Sequence, residues 1–340
     1  MLKKVLSVIL AATMVLSMVA CGGKEQGSTT KIKVGMVTDT GGVNDGSFNQ
    51  SSWAGLTRAG KELGIEVKYL ESKTDSDYAA NIETFIDEEC DLIIGVGFML
   101  ADAIGAAADA NPDQKFAIID DSANASKPNV ACLMFEQAQA SYLVGYAAGL
   151  TTETNNVGFV LGMANPVMHE FGYGFAAGVL DANPEAKLQL SNANSFADPA
   201  QGKSNANAMI TAGADVIFHA AGGTGLGVIE ACKEANIKAI GVDSDQSVLA
   251  PKNIITSALK RVDNASYDIA KAVSEGKFEA GVKVYDLATS GVDYVASDLL
   301  AKDVKKALED VKEKILSGKV VVPKTQKDFE AKYGTVYNLD

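Results

Sequence analysis

The residues able to do chemistry in this chain sit where short apolar runs end. Asp39, Gly97–Phe98, Asp120–Asp121, Gly222–Gly223 and Asp243–Ser244 each follow such a run. Ionised carboxylates only accept hydrogen bonds, so several of them together suit a ligand rich in hydroxyl or amide donors. Glycine lets backbone come close to a ligand, and a phenyl ring offers an apolar face. No nucleophile–base pair is recognisable among these residues. The chain has only two histidines, His169 and His219, so zinc or histidine-centred catalysis is poorly supplied.

Four enzyme signals fail on inspection. The run Gly222–Gly223–Thr224–Gly225–Leu226–Gly227 lacks the Lys-Ser/Thr ending of a phosphate-binding loop, and Glu230 stands where a dinucleotide fingerprint needs its last glycine. His169–Glu170 begins like a zinc-protease motif, but Tyr173 occupies the second histidine position. A Gly-x-Ser-x-Gly elbow is absent from the sequence. These residues therefore point to binding rather than turnover. The most informative loop runs from Asp39 to Gln50, through Gly41, Gly42, Asn44, Asp45, Gly46, Ser47 and Phe48. Its glycines and Asx residues demand a compact turn, and Ser47 is placed to cap a following helix. Asp39 and Asn44 would offer acceptors and donors to a polar ligand, with the Phe48 ring beside them.

The elements that must hold these loops follow from periodicity. Apolar runs at 31–38, 65–70, 91–96, 116–120 and 130–135 alternate with helical spacing at 48–63 and 78–88. Strands separated by helices of this length imply parallel βαβ units with both sheet faces covered. The series then repeats. Val34–Val37 is echoed by Val157–Val160, Cys90–Ile94 by Ala214–Phe218, and Lys115–Ser122 by Ile237–Ser244. Two lobes of one topology are expected, facing each other across the strand ends, where ligands of α/β sheets bind. Val304, Leu308, Val311 and Ile315 mark an amphipathic surface helix within 301–319.

Residues 1–20 read as an export signal, with Lys3 and Lys4 ahead of the apolar run Val5–Leu16. Small residues lead into Cys21, as at a bacterial lipidation site, and residues 22–30 contain no large apolar side chain, as in a flexible tether. The net charge of -13 (30 Lys+Arg against 43 Asp+Glu) disfavours nucleic acid, because polyanions are repelled. Without residues 1–20 the balance is 28 against 43, or -15. Cys90, Cys132 and Cys232 are odd in number and lie in apolar or helical sequence, so buried thiols are expected rather than disulfides.

The Asp39–Gln50 loop, then Ala221–Gly222–Gly223–Thr224–Gly225, then Gly241–Val242–Asp243–Ser244–Asp245–Gln246, behind the lipidation signature, resemble the basic membrane protein family. The resemblance covers the chain from about Lys31 onward. It implies a lipid-anchored substrate-binding protein of a bacterial ABC transporter, of the purine nucleoside receptor type. The implied architecture is an α/β, type I periplasmic-binding-protein fold with two Rossmann-like lobes joined by a hinge. With crossings near 136, 262 and 288, the first lobe would comprise 31–136 plus 263–288, and the second 137–262 plus 289–340. The implied partners are a nucleoside of the inosine, guanosine or adenosine class, permease and ATPase subunits, and the membrane through Cys21. No cofactor is implied, and the protein would act as a monomer on the outer face of the cell membrane. Carried over by position, Phe48 and Phe218 would stack on the base, and Asp39 and Asp120 would address it. Asp243 and Lys260 would hold the ribose, with Gly222 allowing close backbone approach. The internal repeat offers Asp121 in place of Asp120. His219 is the alternative to Phe218, since adjacent strand residues point to opposite faces. A sugar or signalling molecule is the competing ligand class, and a surface receptor without transport is the competing role.

Overall fold

The protein is described by a computed structural model covering residues 31–335 and 337–339. The export signal, the tether and Cys21 lie outside the described residues. The first sheet contains β1 (Lys33–Val37), β2 (Glu66–Leu70), β3 (Leu92–Val96), β4 (Lys115–Ile119), β5 (Val130–Phe135) and a late strand, Gly281–Tyr285. Its order is late strand-β5-β4-β3-β1-β2, with every pair parallel. Helices α1 (Phe48–Leu63), α2 (Asp77–Asp87) and α3 (Ala101–Ala110) fill the crossovers.

The period of two decides which helix each strand residue meets. Val34 and Met36 share a core with Leu56 and Ala59 of α1, while Val37, Ile93 and Ile118 pack with Tyr78, Ile82 and Phe85 of α2. Gly35 lies under the Phe85 ring, where a Cβ would overlap it.

The second half repeats the pattern. Helix α4 (Gln137–Thr151) leads to β6 (Asn156–Leu161), α5 (Pro166–Ala182), β7 (Lys187–Asn192), α6 (Pro199–Thr211), β8 (Val216–Ala220), α7 (Thr224–Glu234), β9 (Lys238–Asp243) and β10 (Ile254–Lys260). Helix α8 (Val262–Ser274) then returns to the first lobe and packs on α1, where Ser52 and Ser266 share a 2.8 Å hydrogen bond. The late strand of the first sheet is β11, and β12 (Val292–Tyr294) closes the second sheet in the order β12-β10-β9-β8-β6-β7. The chain therefore passes between the sheets around 136, 261 and 286–291.

One departure from all-parallel sheets is found: β12 pairs antiparallel with β10. It is a three-residue edge strand reached directly from β11, so no helix is needed to reverse it. Helix α9 (Lys302–Leu316) buries Val304, Leu308, Val311 and Ile315, the spacing read from sequence. The C-terminal helix α10 (Gln326–Tyr333) docks on α5 through buried Phe329. Cys90, Cys132 and Cys232 are buried free thiols, as their apolar surroundings predict.

Candidate functional site

The carboxyl ends of the two sheets enclose a cavity of about 490 Å³, its mouth included. The first lobe lines it with Asp39, Asp45, Phe48, Asn49, Gly97, Phe98 and Asp120. The second contributes Met168, Phe171, Phe196, Ala220–Gly222, Val242, Asp243 and Lys260.

Its charged groups are nearly sealed from water. Asp39, Asp120, Asp243 and Lys260 are 6%, 4%, 6% and 2% exposed. Asp120 and Lys260 meet across the cleft in an ion pair of 2.5 Å, while the second Asp120 carboxylate oxygen is buried without a partner. The Lys260 ammonium also lies 5.2–5.3 Å from the ring centroids of Phe48, Phe135 and Phe171, within cation–π range. Asp39 accepts from Asn49 Nδ2 at 2.7 Å and from the Gly41 amide at 2.8 Å. Burial nevertheless pushes its pKa to about 6, against those two bonds. Burial likewise pushes Asp243 to about 7, opposed by Lys260 and by the Ser47 hydroxyl that donates to it across the cleft.

Asp120 and Asp243 are the same device used twice. Each ends a strand with φ near +64°, a left-handed backbone that suits Asp better than most residues. The sequence repeat aligns Asp243 with Asp121, one position away. Counted from the start of its strand, each acid is the sixth residue, whereas the sequence repeat set Lys115, the first residue of β4, against Ile237, one residue before β9 begins. Asp121 is only half-buried and does not line the cavity.

Six of the eight residues singled out from sequence share this cavity: Asp39, Phe48, Asp120, Gly222, Asp243 and Lys260. Two do not. Phe218 is fully buried in the second lobe, stacked on Phe159 at 5.3 Å and tilted against Phe175 at 5.1 Å. His219 takes the opposite face, under α7, with Nε2 3.1 Å from Gln246 Oε1; burial holds its pKa down to about 4. Strand β8 thus brings Ala220 and Ala221 to the cavity rather than either ring, because its terminus lies two residues further on. Asn44 is exposed and lies outside the lining; the inward polar groups of its loop are Asp45 and Asn49.

The capping expectation is also corrected. Ser47 makes no side-chain cap to α1. Asp45 does that work, accepting from the Ser47, Asn49 and Gln50 amides at 2.8–3.1 Å, which frees the Ser47 hydroxyl for Asp243. In the glycine run only Gly222 faces the cavity. Gly225 and Gly227 instead let α7 lie against the His219 ring and the Pro199 carbonyl.

Sequence reasoning missed Phe171 and Phe196. Phe196 follows β7, a half-exposed strand whose apolar signal is weak, and it meets Phe98 edge-on across the cleft at 6.2 Å. The available signal was its place in a strand-to-helix loop, Asn192–Pro199, analogous to that of Phe48. Chemically, the cavity pairs acceptor groups and one cation with flat apolar walls. That combination can accept hydrogen bonds from a ligand and pack against its flat apolar faces.

Known proteins resemble the chain over most of its length. Residues 32–326 match the family described as ABC transporter substrate-binding protein PnrA-like. The chain is 41% identical to the CD4+ T-cell-stimulating antigen of Listeria innocua, covering 94% of this chain and 97% of that protein. It is 37% identical to the ABC transporter nucleoside-binding protein BmpA of Lactococcus lactis subsp. cremoris, covering 86% and 90%. A solute-binding protein of an Aeropyrum pernix ABC transporter system has the same fold, with a TM-score of 0.81 at 28% identity, over 88% of this chain and 96% of that one. With the two facing sheets and the cavity between them, these matches make the chain a member of the PnrA-like family of ABC transporter substrate-binding proteins.

Proposed function

We propose that this substrate-binding protein captures a nucleoside, of the purine class, between its lobes and delivers it to permease and ATPase subunits. The observation that carries the reading is one cavity holding Asp39, Asp120, Asp243 and Lys260 beside the rings of Phe48, Phe171 and Phe196. A planar base fits between phenyl faces, and ribose hydroxyls donate to carboxylates in charge-assisted hydrogen bonds. Phe48 and Phe196 take the base, Asp39 and Asp120 its polar edge, and Asp243 and Lys260 the ribose. Four lining acids (Asp39, Asp45, Asp120 and Asp243) against one lysine disfavour a phosphate, so a nucleoside is preferred to a nucleotide. The Lactococcus relative, named as nucleoside-binding, supports the same ligand class.

The lobes are 31–136 with 263–288 and 137–262 with 289–340, closing about the three connecting segments. Cys21 carries the lipid anchor, and the protein works as a monomer outside the cytoplasm without a cofactor. A thermal-shift panel of inosine, guanosine, adenosine, uridine, ribose and AMP tests the ligand class. Purine nucleosides raise Tm most, and ribose and AMP leave it unchanged. A shift from ribose alone, or none from any nucleoside, refutes the reading. Cys21→Ser tests the anchor, with release of the protein from membranes expected.

A further inference from the structure

Next to the second lobe's wall of the cavity lies a further set of interlobe contacts. Gln246 is 2% exposed and does not line the cavity. Its side-chain oxygen accepts from the Val242 amide at 2.9 Å and lies 3.1 Å from His219 Nε2. Its side-chain nitrogen donates to the Gly46 carbonyl at 3.0 Å, in the loop before α1 and therefore in the other lobe. The two backbone groups dictate the amide orientation: an N–H must face oxygen, and a carbonyl must face nitrogen. It follows that His219 carries its proton on Nε2 and donates to the same oxygen. The ring belongs to the second lobe's interior and has no ligand to touch. Gly46 has φ +65°, and a Cβ there would stand 3.1 Å from a Leu226 methyl carbon, so this carbonyl is seated against the second lobe.

We infer that Gln246, oriented by His219 and the Val242 amide, is a positioning residue that latches the Gly46 loop to the second lobe and holds the cleft shut over its ligand. The latch deepens the nucleoside reading and rests on it for its ligand. The Gln246 amide contributes to closure without contacting the ligand, so it acts on escape rather than on encounter. It also explains a buried histidine that the binding chemistry leaves unused.

The test is stopped-flow binding of the nucleoside that most stabilises the wild-type protein, measured on Gln246→Met and Gln246→Glu. Met removes all the amide bonds. Glu keeps acceptors for Val242 and His219 but, when ionised, cannot donate to Gly46. Both variants are expected to raise koff about three- to tenfold, the worth of one hydrogen bond, with kon within twofold and the order of ligands preserved. Solution scattering of the liganded variants should show a larger radius of gyration than liganded wild type. An unchanged koff, or a loss confined to kon, overturns the latch. If no nucleoside binds the wild-type protein, the ligand reading fails instead. The latch is then read from scattering of unliganded wild type and Gln246→Glu, where equal radii overturn it. Should Gln246→Met not fold, Gln246→Glu alone decides the matter.

Discussion

Asp120 and Asp243 occupy matching strand ends in the two lobes, with the same left-handed backbone and almost the same burial. Their partners differ. Asp120 is held by the Lys260 ammonium of the opposite lobe, whereas Asp243 receives a neutral hydroxyl from Ser47 of the opposite lobe. Each lobe thus reaches across the cleft to the strand-end acid of the other. One crossing contact is ionic and the other is a neutral donor's, so duplication of a fold has not duplicated its electrostatics. The difference teaches that the backbone positions these groups while the facing lobe sets their charge.

The sharpest way to break this comparison is Lys260→Met. It strands a buried carboxylate and should cost about 3–5 kcal/mol in chemical denaturation, with most of it recovered in the double variant Asp120→Asn/Lys260→Met. Ser47→Ala, the equivalent change beside Asp243, should cost about 1–2 kcal/mol. Equal losses would mean that the two contacts are energetically alike.

Two phenylalanines contrast the wall of the cavity with the core behind it. Phe218→Ala should lose about 3–5 kcal/mol of stability while nucleoside affinity survives at temperatures where the variant is folded. Phe196→Ala should weaken nucleoside binding about tenfold or more, since stacking on a base is worth about 1–3 kcal/mol, with little change in Tm. Titration calorimetry beside denaturation separates the two. A reversal of these outcomes returns Phe218 to the site.

The carboxylates also set a pH dependence. Asp39 at about 6 and Asp243 at about 7 both lie above the usual carboxylate range because burial disfavours their charge. A raised carboxyl pKa means that the folded state binds the proton more tightly. The contribution of these two groups to the stability of the unliganded protein is therefore fully present below about pH 4 and is lost as pH rises to about 7. Nucleoside hydroxyls favour the ionised form, so affinity should rise with pH up to about 7 and then level off. Asp243→Asn should flatten the upper part of both curves, leaving the contribution of Asp39, and of Glu170 beside the cavity at about 7. Identical wild-type and variant curves would remove Asp243 from this account.

Gly97, just before Phe98, has φ +108° and ψ +153°, a backbone region essentially confined to glycine, and a Cβ there would lie 3.4–3.5 Å from Asp39 and Phe48. Gly97→Ala should cost about 1–3 kcal/mol through backbone strain, with a drop in affinity. No measurable change would show that the first lobe's strand end tolerates what its geometry forbids.

The sequence alone determined the alternation of strands and helices, the doubling of the fold, and the strand-end positions where a ligand could sit. These are local consequences of period two, period 3.6 and glycine or Asx turns, so Asp39, Phe48 and Asp243 could be named from residues nearby. What tertiary structure decided was which side chain turns inward and what faces it. Phe218 and Phe196 are both aromatics near strand ends, but only the length of β8 and the path after β7 place one in the core and the other in the cleft. The choice between Asp120 and Asp121 likewise needed the positions at which β4 and β9 begin, Lys115 and Lys238. The Asp120–Lys260 and Ser47–Asp243 contacts join residues 140 and 196 positions apart. Pairings of that range depend on how two lobes meet, a three-dimensional relation that no local periodicity encodes.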